Sequence, residues 1–415
     1  MKSKWMALGL ALLMAVSLVA CGKTAQTGSS PDNSEEPTAT VELATPTEEP
    51  TPTEEPTPEV TEAPTLPPVS GDLSNDPYSF QVQLNGVLYT LPTPYADFAA
   101  NGWAGEDYDT ETLKPMTKTL SGKVVNGENM VWLSVANFGS DVVTFDNCHV
   151  SKISLDSYDA KKGASLVFPA GITIGSKEAD FLAAYGEATD TYEGTSVSTF
   201  TYKEGAYAQL RISIDPETRL VTGLEMEHTV VPKDQPDSKP SGDVPAVVSE
   251  YKAPENLGDS WNSFRVKYAG DTLFSLPAPV AAFVADGWKL LDADVVVNAQ
   301  SAKVGVSLQK NNQTLRTTLF NYTDNAQPAV NCFVTVVMFD KNQTKLSIEL
   351  AKGITEKSSI EDVIAAYGNA GETSDSTSFE YYTYGKIWEK VTILINKDDK
   401  TISKIEVQYQ PKKLN

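Results

Sequence analysis

Chemistry near neutral pH draws on imidazoles, thiols or opposed carboxylates, and this 415-residue chain holds two histidines and three cysteines beside 55 acids. Histidine comes first because its unperturbed pKa lies closest to working pH. His149 directly follows Cys148, but neighbours on a strand point to opposite faces, so the two do not form a thiol–imidazole dyad. An internal repeat places Phe333 opposite His149 and about Tyr409 opposite His228, which argues against an ancestral catalytic role for either imidazole. Cys148 and Cys332 occupy equivalent strand positions, each without a second cysteine in its unit, and are expected to be buried thiols acting as small apolar groups. Zinc spacing, His-Glu-x-x-His, Gly-x-Ser-x-Gly and a phosphate loop do not occur. Gly258-Asp259-Ser260 has no histidine base to activate it, and Asp292 with Asp294, like Asp398 with Asp399, reads as a solvated turn rather than a calcium site. Paired carboxylates alone could hydrolyse glycosidic bonds, yet no pair recurs in both units in an apolar setting that would raise a pKa. No catalytic residue, metal site or cofactor is assigned, and the chain is expected not to be an enzyme.

The aromatic residues say more. Phe200 and Tyr202 align with Phe379 and Tyr381, two apart on a strand and so on one face, which suggests a shared core. Tyr382 and Tyr384 would then face away, where the first unit has Lys203 and Gly205. With Trp388 nearby they form a candidate binding surface; the competing reading is a thicker second core or an interface between units.

These side chains are carried by a unit that occurs twice. Leu91-Pro-Thr-Pro-Tyr-Ala-Asp-Phe-Ala-Ala-Asn-Gly-Trp103 returns as Leu276-Pro-Ala-Pro-Val-Ala-Ala-Phe-Val-Ala-Asp-Gly-Trp288, and Asn147-Cys148 as Asn331-Cys332. Gly171-Ile172-Thr173 returns at 353–355 and Ala183-Ala-Tyr-Gly186 at 365–368. The units span 76–231 and 260–411, each of ordinary domain size, with a Pro/Asp/Ser/Lys linker over 232–259. Within a unit, alternation over 79–91 about Asn85-Gly86 and over 121–137 about Asn126-Gly127 predicts two hairpins. Residues 94–101 predict a short helix with proline at its first position and Gly102 past its end. Another strand is expected over 147–155. A second helix starts at Ser176 or Ser358, where Ser358-Ser-Ile-Glu361 reads as a capping box. Its residues Ile360, Val363, Ile364 and Tyr367 share one face, and Gly186 and Gly368 end it. Strands over 209–214 and 220–226, and over 390–395 and 401–407, close the units. The fold class is α+β: tandem units dominated by antiparallel sheet, with short helices packed on one face.

The start of the chain supplies an address. Lys2 and Lys4 precede an uncharged run from Trp5 to Ala20, too short for a typical span and ending in small residues. Leu18-Val19-Ala20-Cys21 resembles the lipobox of bacterial lipoproteins, which implies that residues 1–21 are a lipoprotein signal peptide and Cys21 the lipid attachment site. Residues 22–75 carry 11 acids and one base, with Thr-Pro-Thr-Glu-Glu-Pro at 45–50 and again at 51–56. Such a segment buries too little to offset its ordering entropy and reads as a disordered, extended stalk. A formal charge of −22 argues against nucleic acid or an anionic lipid surface as partner.

Gly-Ile-Thr-Ile-Gly-Ser at 171–176, the helix to Tyr185-Gly186, then Thr199-Phe-Thr-Tyr202 and the paired strands, are similar to the pattern of the BamE and β-lactamase-inhibitor-protein-like superfamily. The resemblance covers about 60 residues at the end of each unit and implies an extracytoplasmic, often lipid-anchored, non-catalytic module that binds proteins with a sheet surface. No contact residue of that family carries over. The expected function is a lipid-anchored, surface-displayed binding protein, tethered to the bacterial membrane and reaching into or beyond a thick cell wall, that recognises a protein or cell-envelope component. A carboxylate-dependent envelope glycan hydrolase and a structural or assembly accessory are the alternatives.

Overall fold

In the computed structural model the described residues are 72–414, apart from 238, 241, 344 and 345. The signal peptide, Cys21 and all but the last four residues of the expected stalk lie outside them. The architecture is mostly antiparallel sheet with a few short helices.

Each half opens with the expected hairpin. Gln81–Leu84 pairs with Val87–Thr90 about Asn85 and Gly86, both at positive φ, and Leu166–Phe168 and Ile172–Thr173 extend it to a four-stranded sheet. Arg265–Tyr268, Leu273–Ser275, Ile348–Leu350 and Ile354–Thr355 make the corresponding sheet of the second half. The peptides Leu91–Pro92 and Leu276–Pro277 are both cis. The helices Tyr95–Ala100 and Val280–Ala285 follow, with Pro94 and Pro279 as the caps before the first turn rather than inside it. Past each helix a glycine at φ 85° or 86° lets the next residue fold back: Trp103 N–H bonds to Phe98 O at 3.1 Å and Trp288 N–H to Phe283 O at 3.0 Å. Glycine reaches that left-handed conformation without the steric cost other residues carry. Both tryptophans are buried in consequence.

The main sheet of the first half is continuous. From one edge it runs Asp190–Glu193, Ser198–Lys203, Ala208–Ile214, Val221–His228, His149–Asp156, Asn129–Asn137, Gly122–Asn126 and Ala104–Gly105. A register shift between Val150 and Lys152 leaves Ser151 as a bulge in the middle strand. In the second half the equivalent strand is interrupted at Thr335, into Phe333–Val334 and Val336–Asp340, and the sheet is two separate five-stranded sheets.

The second helix of each half is Glu178–Tyr185 or Ile360–Tyr367. The capping box sits one residue later than the sequence suggests. Ser359 Oγ accepts from Asp362 N–H, and Asp362 Oδ2 accepts from Ser359 N–H; Ser358 Oγ instead accepts from Thr355 N–H. Phe181 and Val363 are fully buried, and Gly186 and Gly368 terminate the helices at positive φ.

Burial forms two clusters, one drawn from residues 80–226 and the other from 264–407. All described residues nevertheless belong to one compact unit. Two main-chain bonds cross between the halves, Val142 N–H to Asp324 O at 2.9 Å and Ala299 N–H to Ser140 O at 2.8 Å, and Ala326 N–H donates to the Asp141 side chain, to Oδ1 at 2.5 Å. The later part of the expected linker is not free chain. Val248, in the helix Ala246–Ser249, is buried, Asn331 Nδ2 donates to Asp243 O, and Tyr251 Oη accepts from Ser275 N–H at 3.0 Å. Among the described residues no helix is long and apolar enough to cross a membrane.

Candidate functional site

The site is built on the closing hairpin of the second half. Phe379–Lys386 pairs with Glu389–Asn396, with Tyr382 opposite Ile393, Tyr384 opposite Val391 and Lys386 opposite Glu389. Ile387 and Trp388 are the two-residue turn. Such a turn with positive φ at its first central position ordinarily uses glycine there. Here that position is Ile387 at φ 40°, a β-branched side chain in the left-handed region. Ile387 is 73% exposed and Trp388 56% exposed. Trp388 O accepts from Gln410 N–H at 2.9 Å, which ties the tip to the end of the last strand.

Of the three residues expected to share an exposed face, the structure leaves only Trp388 largely exposed. Tyr384 is 2% exposed. Its hydroxyl donates to Gly368 O at 3.0 Å, and its ring meets Tyr367 edge-on at 5.6 Å and Trp261 at 6.2 Å. Tyr382, on the same strand face, is half-buried against the core, with its hydroxyl 3.1 Å from Glu380 Oε2. Burial is the first cause raising both phenol pKa values; the Glu380 carboxylate adds to it at Tyr382. The assignment of faces is therefore corrected: Tyr382 and Tyr384, not Phe379 and Tyr381, are the counterparts of Phe200 and Tyr202. Tyr202 makes the same bond, from its hydroxyl to Gly186 O at 3.0 Å, and the same edge-on contact, with Tyr185 at 5.4 Å.

Beside the tip lies a cleft of about 420 Å³ lined by Trp261, Asn262, Phe264, Lys386, Glu389 and Tyr409. Phe264 and Tyr409 stack face to face at 4.2 Å. Gly385 belongs to this wall by necessity, because a Cβ there would lie 3.0 Å from Trp261 Cζ3 and 2.1 Å from Glu389 O. Asn262, Phe264 and Tyr409 also line a second, larger groove of about 660 Å³, whose other side carries Tyr251, Lys252 and Arg265. Trp261 was not singled out from the sequence; the available signal was a tryptophan where the first half has Pro77.

The residues with conventional chemistry are used in packing. Cys148 and Cys332 are buried free thiols that lie 3.5 Å and 3.6 Å from Thr144 O and Pro328 O, and burial pushes both up to about 12, so they stay protonated at neutral pH. His149 packs edge-on against Phe138 at 5.6 Å, and burial lowers its pKa against the opposing pull of Asp234 and Asp97. Phe333 meets Tyr322 in the same way at 5.4 Å. His228 stacks on Phe80 at 4.1 Å as Tyr409 stacks on Phe264, and its Nδ1 lies 2.5 Å from Leu91 O, which can only accept. The imidazoles stand where the other half has plain aromatic rings. Asp399 is engaged by Thr401 and Lys341, which hold it down at about 2, and Asp292 Oδ2 accepts from Ser307 N–H at 3.3 Å. Among the described residues no group of three His, Cys, Asp or Glu side chains is placed to hold a metal ion.

Compared with known proteins, the chain matches no family model, no curated protein and no solved structure at a significant level.

Proposed function

We propose that the chain is a lipid-anchored, surface-displayed, non-enzymatic binding protein whose two units arose by duplication and whose second unit recognises a protein or cell-envelope component. The observation that carries this reading is the Ile387-Trp388 turn: two large apolar side chains held out from the sheet on a strained backbone, beside an aromatic cleft. Strain of this kind persists where surrounding structure over-determines it and clusters at functional positions. Exposed tryptophan is also the residue type most enriched at binding hot spots.

The address and tether rest on the lipobox at Leu18–Cys21 and on the acidic Pro/Thr/Glu stretch after it. Acyl chains on Cys21, each buried methylene contributing about 0.8 kcal/mol, would hold the chain at the membrane. Duplication is supported by the recurrence of motifs and of the Tyr202 and Tyr384 hydroxyl bonds to a helix-ending glycine. The likeness of residues 171–226 to the BamE and β-lactamase-inhibitor-protein-like pattern is supported by a helix, Glu178–Tyr185, followed by antiparallel strands.

The hydrolase alternative needs a carboxylic acid with a raised pKa. Each carboxylate with a resolved shift, Asp159, Asp215, Glu227, Asp362, Asp375 and Asp399, is shifted downward.

Crosslinking in intact cells tests it. The wild-type chain should capture a defined envelope component that a Trp388→Ala chain, equally abundant and equally stable, fails to capture. Equal capture by both would remove the proposed site.

A further inference from the structure

We infer that the aromatic groove beside Trp388 takes a short acidic segment of a protein partner, whose carboxylates are met by bases that the second half carries and the first half lacks. This rests on the reading of Trp388 as a recognition residue and names the chemistry of what is recognised. The charge of the chain is unevenly placed. Residues 76–231 hold 21 acids and 10 bases, whereas residues 260–411 hold 17 and 15. The second half is therefore close to neutral, and several of its bases gather on one wall. Lys252 and Arg265 line the groove of about 660 Å³ together with Glu250, and Lys386 lines the adjoining cleft of about 420 Å³ together with Glu389. Lys412 and Lys413, both exposed, lie between the lining residues Pro411 and Leu414. Five bases thus stand against two acids, and among the described residues none of them is in an ion pair. Lys390 is opposite Gly385 in register but follows Glu389 in the strand, so it projects from the other face and does not line the cleft.

The repeat shows that the fold does not require these bases. Arg265 follows Phe264 as Gln81 follows Phe80, and the two phenylalanines stack on equivalent rings. Lys386 stands two residues after Tyr384 as Glu204 stands two after Tyr202, and those tyrosines make the same bond. Lys412 stands three after Tyr409 as Val231 stands three after His228. Gln81 is occupied within the fold, its Oε1 accepting from Ser74 N–H at 2.9 Å. Arg265 gives Nη1 to Asn256 Oδ1 at 3.0 Å, which leaves Nε and Nη2 of its fork for a ligand. A planar guanidinium of this kind takes a carboxylate through two parallel bonds. Between the bases the walls are apolar rings: Phe264, Tyr409 and Tyr251, the last held by Ser275 N–H at 3.0 Å. Bases interleaved with rings suit a peptide whose acids alternate with apolar side chains. The same compact body carries the strongly acidic first half. A polyanion longer than the groove would extend into that repulsion, whereas a short segment ends before it.

The test uses the purified full chain and three probes: a display library of random dodecapeptides, long polyglutamate, and poly(glycerol phosphate). Peptides recovered on the wild type should be enriched in Asp and Glu with apolar residues between them. Arg265→Gln and Lys386→Glu restore the residues of the first half, and each should weaken the recovered peptides roughly tenfold or more with unchanged melting temperatures. Trp388→Ala should weaken them as well, and added salt should do so for the wild type. Failure to recover peptides, recovery of peptides that are not acidic, or equal binding by both charge variants overturns the acidic segment; a Trp388-dependent capture in intact cells would then leave the underlying reading in place. Tighter binding of polyglutamate or poly(glycerol phosphate) than of the peptides overturns the choice of a short peptide. If acidic peptides bind through Arg265 and Lys386 but are indifferent to Trp388→Ala, the groove stands and the reading of Trp388 falls.

Discussion

Truncating Tyr384 and truncating Trp388 should have opposite consequences, although the two aromatics lie four residues apart on one hairpin. Tyr384 is 2% exposed, wedged between Tyr367 and Trp261, and its hydroxyl satisfies Gly368 O at the end of a helix. Removing a buried aromatic ring costs about 3–5 kcal/mol, and the hydroxyl bond accounts for about 1 kcal/mol more when its acceptor is left unpaired. Tyr384→Ala should therefore cost about 4 kcal/mol or more, and Tyr384→Phe about 1 kcal/mol. For a cooperative unit of 150–250 residues, 4 kcal/mol corresponds to a drop in Tm of roughly 8–16 °C. Trp388 is 56% exposed, and surface truncations ordinarily stay within about 0.5 kcal/mol. Calorimetric melts of the three variants, with Tyr202→Ala as the counterpart in the first half, read this directly. A Tyr384→Ala loss below about 1 kcal/mol, or a Trp388→Ala loss equal to it, would refute the assignment of core and surface faces.

Further outcomes follow from the geometry. Cys148 and Cys332 should resist iodoacetamide at pH 8 in the native protein and react after unfolding in urea, because burial holds both thiols at about 12. With an unfolded pKa of about 8.5, their contribution to stability is fully present below that value and is lost as pH rises from there toward 12. Asp399, held down at about 2 by Thr401 and Lys341, contributes stability above its unfolded pKa of about 3.9 and loses it as pH falls through that interval; Asp399→Asn should flatten this part of the acid denaturation curve. Ile387→Gly should stabilise the chain by about 1 kcal/mol in urea titration by relieving the left-handed β-branched residue, and a clear loss would mean that the isoleucine side chain packs in the folded state.

The elements with strong local chemistry were legible in the sequence. Asn85-Gly86 and Asn126-Gly127 mark real hairpins, and the glycines after the short helices fold back Trp103 and Trp288 because their backbone demands it. The two histidines were readable as replaceable aromatics from their counterparts in the repeat. The face of the aromatic strand was not readable from alternation, because Phe379-Glu-Tyr-Tyr-Thr-Tyr384 places aromatics at both parities. A longer-range relation settles it: the buried tyrosine lies 16 residues after the glycine whose carbonyl it satisfies, at Tyr202 and at Tyr384 alike. The cap of the helix at Ile360 shifted for a related reason, since Ser358 and Ser359 are both competent caps and only the bond to Thr355 assigns the first to the preceding turn. Trp261 escaped notice because its role depends on the bare backbone of Gly385, more than a hundred residues away.

The interruption at Thr335 sets how motion is partitioned. In the first half, His149–Asp156 runs unbroken through the sheet, so displacing the closing strands relative to the rest breaks ladder bonds. In the second half no ladder joins the two five-stranded sheets, and Thr335 stands at the joint, its N–H bonded to Thr318 O and its carbonyl accepting from Tyr409 N–H. Side-chain packing in the shared core and a buried bond from Thr317 Oγ1 to Val336 O carry the remaining contact between them. A packed joint of this kind yields by small sliding shifts of intact layers. The sheet that bears Trp388 can accordingly shift as a plate about Thr335, whereas the plate bearing Tyr202 is held by the continuous ladder. Amide exchange should reveal two opening steps in the second half and one in the first.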